Sequence, residues 1–444
     1  MRFAHFWLMS RLSVTMALLV PFFGVTAQEL PKTTDPQTNQ QRLRVTLEHR
    51  SRAEHLTNDF RIGEKSATRA LVERTRLRIS LGKNTDPARV LVEMQDSRGL
   101  LQDKPFFYED NHTNTFDFLQ LKADFLLDGL GRDKPVALHV GRFTIDLGNR
   151  RLVARNNMRN TTNAFDGIHL DLGSNSSNQL DVFVTRPVLI NPTSLDSSAR
   201  NGYFWGSYYQ ERLNPNTNID FYYLGLHDDG RLGYEATYTT LGTRLNKSGM
   251  RGQFNYELES AWQFGSTNNL SHSAHFQHGS FGYTAPLRWE PNLSVNYDYA
   301  SGDSEPRDKR FGTFDTLFGA RSFELNSTGI YGPFLRSNLH TPGLNLQLRP
   351  KTKLQIEVSY RLFWLAQPTD HWVDSGLHDP TGNSGSFLGQ QIEAKLRMDV
   401  QDYFHVEFGY AHLFKGDYLA RVPMSPATPN SNFVYAAVNF KTPL

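Results

Sequence analysis

The chain has no cysteine. That excludes disulfides, thiolate metal sites and a lipid-anchored Cys. It also lacks an excess of either charge: 47 Lys and Arg stand against 45 Asp and Glu, for a formal net charge of +2. No overall field points to nucleic acid, so any electrostatic function must come from how charge is distributed along the chain. Beyond the N-terminal leader no apolar run reaches the length of about 18 residues that a membrane helix needs. Mean hydropathy is −0.50, too polar for a helical membrane protein. Aromatics nevertheless make up 12%, with 31 Phe and 18 Tyr. A transmembrane β-barrel reconciles these facts, because half of each strand faces water and half faces lipid.

Residues 1–27 read as a signal peptide. Arg2 and Arg11 give a positive start, Leu12 to Val25 is apolar, and Val25-Thr26-Ala27 fits a small-residue cleavage site before Gln28. The apolar part is short for a span of about 20 residues, and Pro21 interrupts it. The mature chain, 28–444, is therefore expected outside the cytoplasm. Its 444-residue precursor would suggest two or three soluble domains by length alone, but period-two alternation argues for a single barrel.

That alternation begins at Leu43, Val45 and Leu47, which oppose Arg44, Thr46, Glu48 and Arg50. Leu77, Ile79 and Leu81 then oppose Arg74, Arg76 and Arg78. A soluble sheet would not bury one side of such strands and crowd the other with arginine; a solvated barrel interior would. The pattern recurs through Leu119–Phe125, Leu180–Thr185, Tyr203–Tyr209, Ile219–Leu226, Tyr238–Leu245, Tyr256–Phe264, Leu293–Tyr299 and Leu344–Arg349. It continues through Leu354–Leu362, Gln391–Met398, Phe404–Tyr410 and Val434–Phe440. Some sixteen to eighteen strands fit, joined by turns and longer loops. The segments 302–335 and 368–385 are long and rich in Gly, Asp, Ser and Pro, and read as extracellular loops or as a lid folded into the lumen.

The stretch from Gly141 to Gly167 stands apart. Arg142, Arg150, Arg151, Arg155 and Arg159 lie between two short strands, far more positive charge than a turn requires. Arg142 shares parity with Val136, Leu138 and Val140, so strict alternation aims it at lipid, where a midplane arginine costs about 2–4 kcal/mol. Either a bulge at Gly141 resets the register or the residue stands beyond the bilayer edge. Inward arginines on the first two strands outnumber Glu48, and Arg244 and Arg361 add to them. Such guanidiniums attract carboxylates, since each offers a planar fork of donors. The plainer reading is that inward charges pair across strands and only solvate the interior.

The order Gly141-Arg142, Gly148-x-Arg150-Arg151-Leu152-Val153 and Phe165-Asp166-Gly167 resembles the alginate export family of outer-membrane barrels. Later segments share it: Tyr297-Asp298-Tyr299-Ala300-Ser301-Gly302-Asp303, Gly312 to Gly319, Asn338-Leu339-His340, Phe363-Trp364-Leu365-Ala366, and Gly409-Tyr410-Ala411-His412. The resemblance implies an all-β, 18-stranded antiparallel up-and-down barrel in the cell outer membrane that passes an anionic polysaccharide or another acidic saccharide. It also implies that Arg142 points inward and that Asp166 is a pore residue. Candidate pore residues are Arg74, Arg76, Arg78, Arg142, Arg151, Arg155, Asp166, Arg244 and Arg361. Expected partners are the saccharide, outer-membrane lipid and separate periplasmic export proteins; no nucleic acid and no cofactor is implied.

Other functions have weaker support. A general porin for small polar solutes and a closed receptor or adhesin barrel remain as alternatives. No Gly-x-Ser-x-Gly elbow occurs, and no nucleophile can be placed beside a base. His272, His275 and His278 invite a metal, but in an extended strand His275 points away from the other two. Asp303, Glu305 and Asp308, or Asp374 with Asp379, have calcium-like composition, although oxygen-rich surface loops are usually only solvated.

Overall fold

The period-two pattern becomes eighteen antiparallel strands in the computed structural model, which describes residues 42–443 except 64–66, 103–111, 128–135, 174–176, 231–234, 306, 321–330 and 332–333. The leader lies outside the described residues. The strands are β1 (Leu43–Thr57), β2 (Ala67–Leu81), β3 (Ala88–Gln102), β4 (Asn114–Leu126), β5 (Val136–Phe143), β6 (Phe165–Leu172), β7 (Asn178–Leu189), β8 (Tyr203–Asn214) and β9 (Thr217–Asp229). They continue as β10 (Glu235–Lys247), β11 (Phe254–Thr267), β12 (Leu270–Thr284), β13 (Asn292–Ala300), β14 (Leu339–Lys351), β15 (Leu354–Trp364), β16 (Phe387–Gln401), β17 (Phe404–Lys415) and β18 (Ser431–Pro443). Each pairs with its neighbour in sequence, and β1 pairs with β18 from Thr46↔Pro443 to Thr57↔Asn432, which closes the barrel. Closure removes the unpaired edges that a membrane would not tolerate. Two short ladders, Ser197–Ser198 and Arg310–Phe311, are contributed by loops.

Short turns such as Asn214–Thr217 and Lys351–Leu354 gather at the end that carries Leu43 and Pro443. Long connections gather at the other. Barrels of this class keep short turns on the periplasmic side and long loops outside, which orients the chain. Val184, Leu258, Val295 and Ile168 are exposed on the outer wall, as a lipid-facing surface requires. His275 stands on that wall between the rings of Trp262 and Tyr299. His272 and His278 face the lumen, where they bond Thr267 and Asp298 respectively. The period-two assignment of those three histidines therefore holds.

The lumen is filled towards its extracellular half. One apolar cluster joins Phe60, Tyr331, Phe334, Phe363, Trp372 and Tyr418. A second joins Phe143, Leu152, Phe165, Phe183, Phe204 and Phe314. Loop residues supply a large part of both. Of segment 302–335, expected either outside or as a lid, the described residues around Phe314 and Phe334 are folded in, and both rings are fully buried.

Candidate functional site

Strands β5 and β6 have eight residues each, against 12 to 15 in most others. The chain therefore leaves the wall early, at Phe143, and returns at Phe165. Between them Ile145, Leu147, Leu152 and Val153 pack against Phe183, Phe204, Tyr208 and Tyr222, which face the lumen. Burying those side chains, at about 25 cal/mol per Å² of apolar area, draws segment 144–164 across the interior rather than out into water.

One side of this constriction loop is clamped by arginines. Arg50 Nη1 donates to the Asn157 carbonyl at 2.7 Å, and its Nη2 donates to the Arg159 carbonyl at 3.1 Å. Arg74 Nη1 donates to the same two carbonyls at 2.9 and 3.1 Å. Arg52 donates to the Met158 carbonyl between them. Arg76 holds the Asn157 side chain at 3.1 Å and also reaches Thr162. Three consecutive backbone carbonyls thus face three guanidiniums, with that of Arg76 on the side chains beside them, and none of the four arginines is more than 4% exposed. Glu48 accepts from Arg74 at 2.9 Å and Arg76 at 3.3 Å, and Glu54 pairs with Arg52, so the cluster is only partly neutralised by carboxylates. The carbonyls add charge-assisted hydrogen bonds but leave the net positive charge in place.

The opposite side is held by an acidic wall. Arg151 from the loop pairs with Glu257 at 2.7 Å and with Glu259. Arg244 bridges Glu257 and Asp220. Tyr208 donates to Asp220 at 2.6 Å and Tyr222 to Glu259 at 2.8 Å, which adds a neutral donor to each carboxylate. On the clamp side, Arg155 pairs with Glu93 of β3, the neighbour of β2. Residues 318–320 then zip onto the loop: Val153 and Phe318 form a bridge, Phe318 N donates to the Leu152 carbonyl at 3.0 Å, and Ala320 N donates to that of Arg150 at 2.9 Å. Gly319 is required here, because a Cβ would stand 1.7 Å from the Arg151 carbonyl oxygen.

Two expected pore residues take another place. Pairing runs unbroken through Gly141, with Leu121↔Arg142 and Arg142↔Asp166, so Arg142 keeps the outward parity of Val140. The register reset considered at Gly141 does not occur, although this glycine has φ +122° and its Cβ would meet the Leu121 carbonyl at 2.3 Å. Arg142 is instead tied at the end of its short strand to Asp166 at 2.8 Å, to Asp117 at 3.2 Å and to the Asp196 carbonyl. Ser198 donates to Asp166 from the same loop, 190–202. These contacts brace the wall where β5 and β6 stop short. Burial, aided by repulsion from Asp117, raises the Asp196 carboxyl to about 6. In the inward segment, burial likewise raises Asp315.

The structure therefore brings Arg74, Arg76, Arg151 and Arg155 together around one loop and places Arg244 behind Arg151. Arg361 lies apart, 2.9 Å from Asp298, which also accepts from His278. Arg78 alone of the candidates is exposed and makes no ion pair with a described residue.

Below the loop, towards the short turns, a lumenal cavity of about 650 Å³ opens. Arg50, Arg52, Arg74, Arg150, Arg349, Lys395, Arg397 and Lys441 line it, against Glu48, Glu357 and Glu407. A second cavity of about 410 Å³ lies among segment 311–319 and the extracellular ends of β9 to β12. There Arg159 and Arg336 face Asp228, Asp315 and Asp374. Positive charge is thus concentrated on the periplasmic side of the constriction. Arg349 and Arg397 were legible as inward residues but carried no signal that set them above the others. Their closeness to the short turns puts them out of reach of the loop, and Arg397 makes only a long pair, 3.4 Å, with Asp399 of its own strand. Arg52 and Glu54 also follow from alternation continued past Arg50.

Residues 41–429 match the alginate export family. This chain belongs to that family. Its fold is also that of solved Pseudomonas aeruginosa proteins. OpdQ is 14% identical with a TM-score of 0.62, over 91% of this chain and 100% of that one. The outer membrane protein opdK is 13% identical with a TM-score of 0.61, over 90% and 99%. OccK3 (OpdO) is 15% identical with a TM-score of 0.61, over 90% and 96%. No curated protein sequence matches. Family and barrel together make this alginate export relative an outer-membrane channel.

Proposed function

We propose that the channel conducts an anionic saccharide, a carboxylated polymer or its fragments, drawn in by the cations of the periplasm-facing cavity. The observation that carries this reading is the five Lys and Arg outside the clamp, Arg150, Arg349, Lys395, Arg397 and Lys441, against three Glu around that cavity. Exposed ionic contacts are worth about 0.2–1 kcal/mol each, so several attract a polyanion while each releases it readily. The arginines of the clamp act indirectly: they fix the loop that sets the width of the passage. Anionic small solutes are a second reading, favoured by the bridge between Val153 and Phe318, which narrows the route a polymer must thread.

Reversal potentials in planar bilayers across a salt gradient test the proposal. The wild-type channel is expected to prefer anions, and Arg349→Glu with Arg397→Glu to lose much of that preference. Current block by oligouronates of increasing length separates the two readings: block that deepens with length supports a polymer, and block confined to the monomer supports small solutes. A cation-selective wild-type channel sinks both.

A further inference from the structure

The outer wall of the barrel carries a polar patch that neither the lumen nor lipid accounts for. His49 and Ser51 on β1 alternate with Glu48, Arg50 and Arg52, whose side chains serve the lumen, so they point out. By the same parity Glu73 and Thr75 point out from β2. The four meet near the middle of these strands: His49 Nε2 lies 3.0 Å from Glu73, Ser51 donates to Glu73 at 2.6 Å, and His49 Nδ1 bonds Thr75 at 2.9 Å. On β3, Asp96 and Arg98 stand next to them in register, opposite Thr75 and Glu73, and pair at 2.7 Å. Elsewhere the mid-height wall presents Ile168, Phe221, Leu258 and Val295, all exposed. Ionisable side chains at membrane depth normally face protein or water rather than hydrocarbon.

We propose that this face of β1 to β3 is a contact with a second copy of this chain. The patch holds both signs, a carboxylate and a cation on adjacent strands, so a two-fold axis through it sets Glu73 and Asp96 of one copy against Arg98 and His49 of the other. Such a surface is complementary to itself. Side by side on the outer wall, Ala53 and Ala436 floor an apolar dent of about 1010 Å³ beside the patch, bounded by Leu71, Phe408 and Tyr410. The dent receives a protruding aliphatic or aromatic side chain of the partner copy. This inference does not depend on which solute the channel passes.

The cysteine-free chain makes the test direct. Ser51→Cys and, as a control on the far wall, Val295→Cys are oxidised in intact outer membranes with copper phenanthroline, and the extracted wild-type barrel is weighed by native mass spectrometry in mild detergent. Expected are a two-chain mass and disulfide-linked dimers from Ser51→Cys well above the Val295→Cys level. Glu73→Lys is expected to lose the two-chain mass while conductance per barrel is kept, since Glu73's side chain takes no part in the constriction. A single-chain mass with equal cross-linking of both cysteines overturns the proposal. So does a single chain carrying a phospholipid that Glu73→Lys loses, which assigns the face to lipid instead.

Discussion

Removing the arginine clamp separates a structural lumen from a gated one. Arg50 and Arg74 donate to the same two carbonyls, of Asn157 and Arg159, and Arg50 adds the Asn160 side chain at 3.1 Å. A hydrogen bond from a charged donor contributes about 1.5–3 kcal/mol, and a buried carbonyl left without a donor costs about 1–3 kcal/mol. In Arg50→Gln or Arg74→Gln the surviving guanidinium still serves both carbonyls, and relief of repulsion within the cluster offsets part of the loss. The single changes should therefore be mild. The double change strips both carbonyls and should exceed the sum of the singles by about 1–3 kcal/mol. Each 1.4 kcal/mol is about tenfold in occupancy, so the loop should leave its closed position roughly ten- to a hundredfold more often. Single-channel recording reads this as higher conductance and a noisier open state, while heat-shifted gel mobility reports that the barrel has folded. A folded double variant with wild-type conductance and noise refutes the idea that the clamp sets the passage.

Other outcomes follow from the same geometry. Arg151→Met removes the partner of the buried Glu259 and one partner of the half-buried Glu257, and losing one partner of a buried pair costs about 3–5 kcal/mol; the barrel should unfold at a lower temperature in a heat-modifiability series. Gly319→Ala drives a methyl into the Arg151 carbonyl, which should part the two loops and raise conductance without changing barrel stability much. The Asp196 carboxyl, raised to about 6 mainly by burial, favours the protonated form in the folded loop. Packing of 190–202 should be tightest below about pH 4, the ordinary carboxyl range, and loosen as pH rises through 6. Hydrogen exchange of this loop between pH 4 and 7 should show the change in wild type and not in Asp196→Asn.

Period-two alternation alone set the barrel, its strand count within a narrow range and the inward side of Arg74, Arg76, Arg244 and Arg361, because a side chain's face depends only on its parity within a strand. It also marked 141–167 as out of proportion to a turn. What alternation could not show is which inward arginines stay open. Arg50 and Arg74 donate to carbonyls more than 80 residues away, and a backbone carbonyl is the same group under every residue, so no sequence pattern announces it. For Arg142 alternation gave the outward side and the resemblance the inward one; the outward parity stands because Asp117, Asp166 and the 190–202 loop converge on it, and that convergence exists only once β5 and β6 have ended short. Pairing along strands was local enough to read from the chain; the meeting of loops inside the lumen, with the charge it cancels and the charge it leaves bare, required the closed barrel.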